Sequence, residues 1–182
     1  MTRKTLSAAV VVAAMLGLAT TASAADKENL IYMDLKTGRV VIETRPDLAP
    51  GHVARIKELV KQGFYDGVVF HRVIEGFMAQ TGDPQGTGMG GSGKKLKAEF
   101  SKEPHVRGSV SMARAQDPDS ADSQFFICFA KADFLDGKYT VWGRVVEGME
   151  HIDKVKKGDR NRNGAVSDPD KVIKMRLATD AG

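Results

Sequence analysis

Cysteine is nearly absent. Cys128 is the only one in 182 residues, so the chain cannot form an internal disulfide. There is no CxxC pair, and His52, His71, His105 and His151 lack the spacing of metal ligands. A dithiol redox protein and a zinc module are excluded on that pattern, and no metal or cofactor is expected. Cys128 lies in an apolar run and reads as a small buried hydrophobe. A nucleophilic role would need a base, and none stands at an identifiable spacing. No internal repeat or linker divides the chain. One domain of this length buries roughly 70% of its unfolded surface and needs no staples.

Long apolar runs are missing too, except at the start. Arg3 and Lys4 precede an apolar stretch from Leu6 to Ala19, and Ala22, Ser23 and Ala24 form a small-residue cleavage site. The stretch is shorter than the ~20 residues of a membrane span. Residues 1–24 are therefore expected to be a signal peptide cleaved before Ala25. That leaves 25–182 as a single secreted domain, periplasmic if the cell has two membranes. Strong charge of one sign is also lacking: without Arg3 and Lys4 the formal charge falls from +4 to +2. Small basic clusters at 94–97 and 154–162 read as solvated faces, so neither nucleic acid nor a membrane is an expected partner.

What remains is rich in short β-type segments. Residues 30–35 and 39–44 flank Thr37-Gly38 and predict a hairpin. Asp47 and Pro50 then open a helix in which Ala49, Val53, Ile56 and Val60 recur at helical spacing, with Gly63 as its stop. Strands are expected at 67–74, 77–81, 96–100, 109–113, 124–129, 139–146 and 171–178. Met149, Ile152 and Val155 mark a second helix ending at Gly158. Glycine-rich 82–93 and Asp-rich 114–122 read as loops. Short strands with glycine turns point to a mostly β barrel or sandwich with two helices.

Two segments carry the chemistry: FHRVIEGFMAQTGD at 70–83 and SQFFIC at 123–128. Alternation puts Phe70, Arg72 and Ile74 on one face, Met78 with Gln80 on another, and Gln124 with Phe126 on a third. An arginine amid so much apolar sequence needs a partner or a task, because an unpaired buried charge is costly. Pattern alone leaves both a structural salt bridge and a ligand contact open. An aromatic and methionine pocket beside an arginine and two amides could receive an apolar ring next to a carbonyl. A proline-containing peptide is such a ligand. His71 neighbours Arg72, but alternation turns it away, and it reads as a satisfied interior histidine rather than an acid or base.

Over residues 30 to 178 these motifs resemble the cyclophilin family of peptidyl-prolyl cis-trans isomerases. The resemblance implies a closed eight-stranded antiparallel β-barrel capped by two α-helices. It implies that Arg72, in FHRVI, is the catalytic arginine and Gln80 the amide beside it. Phe77 and Met78, in GFMAQ, match the proline pocket, which Gln124, Phe126 and Leu135 complete. Ala113, Arg114 and Ala115, in SMARA, match the strand that pairs with substrate backbone. Proline-containing polypeptides are the implied partners, bound by a monomer without cofactor.

Three positions depart from the family pattern. Phe134 stands where a tryptophan that helps to bind cyclosporin is common, so weaker inhibition by cyclosporin is expected. Tyr139 takes a position often held by histidine, and Arg114 one often held by asparagine. Other motifs are poor matches. Gly86 to Gly91 fits GxGxxG, yet a strand-like segment follows instead of the helix that phosphate binding needs. Residues 159–170 imitate a calcium loop but end in Asp170 and carry Arg160 and Arg162. A proline-binding module without turnover, and a barrel-type ligand carrier or calcium-dependent adhesin, are the competing readings. The presence of Arg72 favours an isomerase over the first, and pocket residues on short strands near loops with an imperfect ion loop count against the second.

Overall fold

The computed structural model describes residues 27–181; the predicted signal peptide, 1–24, lies outside them. Strand β1 (Leu30–Leu35) alternates strictly, burying Ile31, Met33 and Leu35. A two-residue turn joins it to β2 (Gly38–Thr44), with Leu35 opposite Gly38. Helix α1 (Pro50–Lys61) follows and lays Val53, Ile56, Leu59 and Val60 into the core. Proline at its first position is pre-set for a helix. The expected opener Asp47 does not cap it and pairs with Arg45 instead. The anion at this helix end is Glu99, whose carboxylate accepts the N–H groups of Gly51 at 3.0 Å and His52 at 2.9 Å. Those first amides have no partner within the helix, and the helix dipole favours a negative charge there.

Strands β3 (Arg72–Ile74), β4 (Met78–Thr81), β5 (Ser109–Met112), β6 (Phe125–Cys128), β7 (Val141–Glu147) and β8 (Lys174–Leu177) complete the sheet. Helix α2 (Met149–Asp153) lies between β7 and β8 and stops well short of Gly158. The eight strands run in the order β3-β4-β6-β5-β7-β2-β1-β8, every pair antiparallel. The segment 96–100, expected as a strand, makes only the bridge Leu96 to Ala121. Its Glu99 is committed to α1.

The expected closed barrel is corrected to an open half-barrel. Strands β3 and β8 are the two ends of the ladder, and no ladder joins them. Single bridges stand between them, Val69 to Lys171 and Arg72 to Ala165. The physical reason is the length of regular strand at the seam. Only three residues of the expected 67–74 strand and four of 171–178 are regular. The irregular chain before β8 fills the gap, with Val73 N–H bonded to Gly164 O at 2.8 Å and Phe70 N–H to Asp170 O at 2.8 Å.

The curled sheet has two packed sides. Inside, Phe70, Val73, Ala79, Val110, Phe125, Ile127 and Trp142 join the α1 residues in the main core. Outside, Met78, Phe126, Cys128, Ala132 and Leu135 form a second, smaller cluster. Alternation along β4 and β6 thus sends one set of side chains inward and the other to a surface site.

Gly82 joins β4 to the glycine loop at φ +89°, and a Cβ there would stand 2.4 Å from Ser123 O and 2.9 Å from Gln124 Cα. Both contacts are backbone and cannot swing aside. Gly82→Ala should cost about 1–3 kcal/mol of stability, read as a lower urea midpoint at unchanged slope. An unchanged midpoint would mean that the β4–β6 approach is looser than its geometry.

Candidate active site

Register builds the site. Arg72 lies opposite Gln80, Gln80 opposite Phe126, and Phe126 opposite Ser111, so four side chains stand in one row across β3, β4, β6 and β5. One step along, Ile74, Met78 and Cys128 form a parallel row. Directly opposed residues in an antiparallel pair hold their Cβ atoms within about 5.5 Å, so each row is a contact chain.

The polar row is bonded end to end. Arg72 Nη1 donates to Gln80 Oε1 at 3.0 Å, and Gln80 Nε2 donates to Gln124 Oε1 at 2.9 Å. Gln124 Nε2 donates in turn to the carbonyls of Gly88 at 3.0 Å and Gly90 at 2.8 Å, tying the glycine loop to the sheet. On the other side of the guanidinium, Nε donates to Asn163 O at 3.0 Å and Nη2 to Asn163 Oδ1 at 3.0 Å. The salt bridge left open by the sequence is not made: among the described residues Arg72 has no carboxylate partner. Burial lowers its pKa, opposed by Tyr139, yet an arginine stays charged in a protein. A guanidinium carries five N–H groups. Three are used here, which leaves two for a ligand.

The apolar side is a groove of about 600 Å³ lined by Phe77, Met78, Ala113, Phe126, Leu135 and Tyr139, with Arg72 and Gln80 at its polar edge. Met78, Phe126 and Leu135 are buried and form its floor. Phe134 is 60% exposed and leans on Phe77, ring centres 5.4 Å apart, so it makes a rim. Tyr139 packs edge-on to Phe126 at 6.0 Å and lies under the Arg114 guanidinium at 4.5 Å. Arg114 donates to the carbonyls of Ala115, Gln116 and Lys138, so its side chain braces the loop. Ala115 and Gln124 line an adjoining groove of about 370 Å³ instead. The N–H groups of Ala113 and Ala115 are bonded internally, to Gln124 O and Ser120 Oγ, so a peptide cannot pair with those two amides.

Other expectations need revision. His71 borders the groove, because regular strand begins only at Arg72 and alternation does not govern it. It is buried but not satisfied: among the described residues neither ring nitrogen has a hydrogen-bond partner. Burial lowers its pKa, with Asp83 opposing and Arg72 reinforcing. It is a neutral ring beneath the glycine loop. Cys128 sits under the pocket with its thiol pushed up to about 12 by burial, which removes it as a nucleophile.

Sequence reasoning missed Asn163, Ala165 and the loop residues Thr87, Gly88 and Met89, all of which line the groove. Asn163 sits at φ +54°, before Gly164 at φ +79°. The Asn-Gly pair signals a tight turn, but nothing local says that the turn reaches an arginine 91 positions earlier. The calcium-like loop is thereby divided among other tasks. Asn163 holds Arg72, Asp159 accepts from Asn161 N–H, and Asp170 pairs with Lys36. Among the described residues no three of His, Cys, Asp and Glu gather as a metal site.

Comparison with known proteins agrees with this geometry. Residues 30–177 match the model of the family described as cyclophilin type peptidyl-prolyl cis-trans isomerase/CLD. A probable peptidyl-prolyl cis-trans isomerase of Brucella abortus is 55% identical over 190 aligned positions, covering 98% of this chain and 97% of that protein. A peptidyl-prolyl cis-trans isomerase of Helicobacter pylori is 46% identical over 134 positions, covering 70% and 82%. The crystal structure of a Hirschia baltica cyclophilin superposes with TM-score 0.76 at 30% identity, covering 85% of this chain and 76% of that one. A Cryptosporidium parvum cyclophilin type isomerase, crystallised in the presence of the dipeptide Ala-Pro, gives 0.74 at 26% identity, covering 81% and 98%. The chain belongs to the cyclophilin type peptidyl-prolyl cis-trans isomerase family.

Proposed function

We propose that this chain is an exported cyclophilin that accelerates rotation about X-Pro bonds in unfolded or extended polypeptides. The mature domain is 25–182, released by cleavage before Ala25 into the periplasm of a two-membrane cell. It acts as a monomer, without metal or cofactor. Proteins crossing a membrane unfolded present X-Pro bonds whose uncatalysed isomerisation takes tens of seconds or more, slow enough to limit folding. The proline ring enters the groove floored by Met78, Phe126 and Leu135, and the preceding residue turns outside it.

The observation that carries this reading is the state of Arg72: charged, half-buried, held on both sides by neutral acceptors, and with two N–H groups to spare. Amide resonance sets a barrier of about 18–20 kcal/mol. Rotation localises the lone pair on the prolyl nitrogen, and a guanidinium at that nitrogen and the prolyl carbonyl donates bonds that strengthen as the amide twists. That is differential binding of the transition state by donors already in place. A carboxylate partner would have quenched the charge. Gln80 and Asn163 fix the orientation and leave the charge intact.

Four outcomes follow from this reading. In a proline-peptide isomerisation assay, Arg72→Ala should lower kcat/KM at least about tenfold with peptide affinity largely kept. Peptide binding without acceleration by either protein would sink the isomerase reading, and equal acceleration by both would remove Arg72 as the catalytic group. Asn163→Ala should cost several-fold, less than loss of the arginine, since Gln80 still holds one edge. A drop matched by weaker peptide binding would instead assign Asn163 to the substrate. No proton moves in the reaction and His71 stays neutral, so kcat/KM should be level from about pH 7 to about pH 9. Cyclosporin should inhibit weakly, because Phe134 lacks the indole N–H that a tryptophan would offer; inhibition at concentrations typical of the family would refute that.

A further inference from the structure

His105 takes no part in the row that carries Arg72, and it is fully buried. It grips the pocket wall at both ends. Its carbonyl accepts the N–H of Ala132 at 2.8 Å. Its own N–H and its ring Nδ1 both reach Asp136 Oδ1 at 2.8 Å. Between those two anchors runs a single short 3-10 turn, Asp133–Leu135, which carries Phe134 and Leu135. The same imidazole lies stacked on Phe126, ring centres 6.3 Å apart and planes 17° apart. Its Nε2 is 3.0 Å from Ser111 Oγ, and Ser111 stands opposite Phe126 in the sheet. One side chain therefore touches the supports of both the floor and the wall of the groove.

The order Asp136, His105, Ser111 imitates a nucleophilic triad, but burial and bonding exclude that chemistry. Ser111 is fully buried, and its hydroxyl donates to Thr140 O at 2.9 Å. No substrate can reach it. The Asp136 carboxyl is held below its usual range by the backbone N–H of His105 and then by its ring, which agrees with an acceptor in steady use.

We propose that His105 is a positioning residue of the proline pocket, clamping the 132–136 turn through Asp136 and backing Phe126. It touches no substrate atom. Its effect falls on how well the ring of proline is received, while Arg72, oriented by Gln80 and Asn163, acts on the twisted amide independently. The proposal rests on the isomerase reading for its consequence in turnover, but the clamp itself is measurable by peptide binding alone.

The experiment uses the full mature protein and a short Ala-Pro-containing peptide, with affinity from an NMR titration and bound-state cis-trans exchange from the same spectra. His105→Leu removes the clamp, and His105→Asn returns an amide N–H near the place of Nδ1. Asp136→Ala removes the clamp from the other side, at a residue whose side chain is 32% exposed, so a folded variant is available even if His105→Leu unfolds. The expected result is peptide binding at least about fivefold weaker in His105→Leu and Asp136→Ala. Bound-state exchange should stay within about twofold of the parent, and His105→Asn should recover most of the affinity. Unchanged affinity in folded Asp136→Ala would overturn the clamp. So would a loss of bound-state exchange as large as the loss of affinity. Absence of exchange in the parent protein would count against the isomerase reading instead, with the affinity series still deciding the clamp.

Discussion

The register between β3, β4, β6 and β5 is the constraint on which the site depends. A slip of one residue in any of these pairs would move every side chain of that strand to the other face of the sheet. Arg72 would then point into the apolar core and Phe125 would replace Phe126 in the groove. The register is held by the inner face. Val73, Ala79, Phe125 and Ile127 are all fully buried there, so a slip would also expose core residues. At about 25 cal/mol per Å² of apolar surface, the penalty for such a slip far exceeds the strength of any one hydrogen bond in the polar row. The core thus sets the site geometry through the pleat, although no core residue touches a ligand.

This arrangement explains how much of the molecule the sequence discloses. Alternation in GFMAQ and SQFFIC is local and rightly pairs Met78 with Gln80 and separates Phe126 from Phe125; in FHRVI it pairs Arg72 with Ile74 but misplaces Phe70, which is buried in the main core because it precedes the regular strand. The hairpin at Gly38 and the helix after Pro50 are local signals too. What remains hidden is contact between distant segments of irregular chain. Asn163 reaches Arg72 across 91 positions, and Glu99 serves a helix 48 positions earlier. Neither contact is announced by periodicity, because periodicity describes elements and both partners lie outside them. His71 shows the converse limit. Alternation was extended one residue beyond the regular strand, and that residue proved to border the groove.

Neutral partners on Arg72 carry a stability cost. A buried guanidinium without a counter-ion is desolvated with only hydrogen bonds in return. Replacing Gln80 or Asn163 with a carboxylate would relieve that cost and lower the charge available to a prolyl amide. The choice of two amides is therefore informative: the protein keeps a less stable ion in order to have donors ready. Gln124 extends the same logic. By bonding Gln80 on one side and the carbonyls of Gly88 and Gly90 on the other, it fixes the amide of Gln80 with its oxygen toward Arg72. A flipped Gln80 would turn N–H groups toward the guanidinium and lose both bonds.

The open seam of the half-barrel connects these points. Arg72 lies on β3, an end strand of the ladder, and beyond it stands irregular chain, joined through the bridge to Ala165 and the bond from Val73 N–H to Gly164 O. Were β3 flanked by a regular strand, its neighbour would present straight backbone, and no residue there could bend back over the guanidinium. The irregular segment before β8 does bend, through two consecutive left-handed residues, Asn163 and Gly164. Asn163 offers its carbonyl and its side-chain oxygen to one guanidinium edge, and Gly164 O closes the seam to Val73. A Cβ on Gly164 would stand 2.5 Å from Ile74 Cγ1 and 3.1 Å from Val73 O, so only glycine lets the turn approach β3 this closely. The incomplete ladder is thus the feature that gives the arginine both its clamp and its access to solvent and peptide.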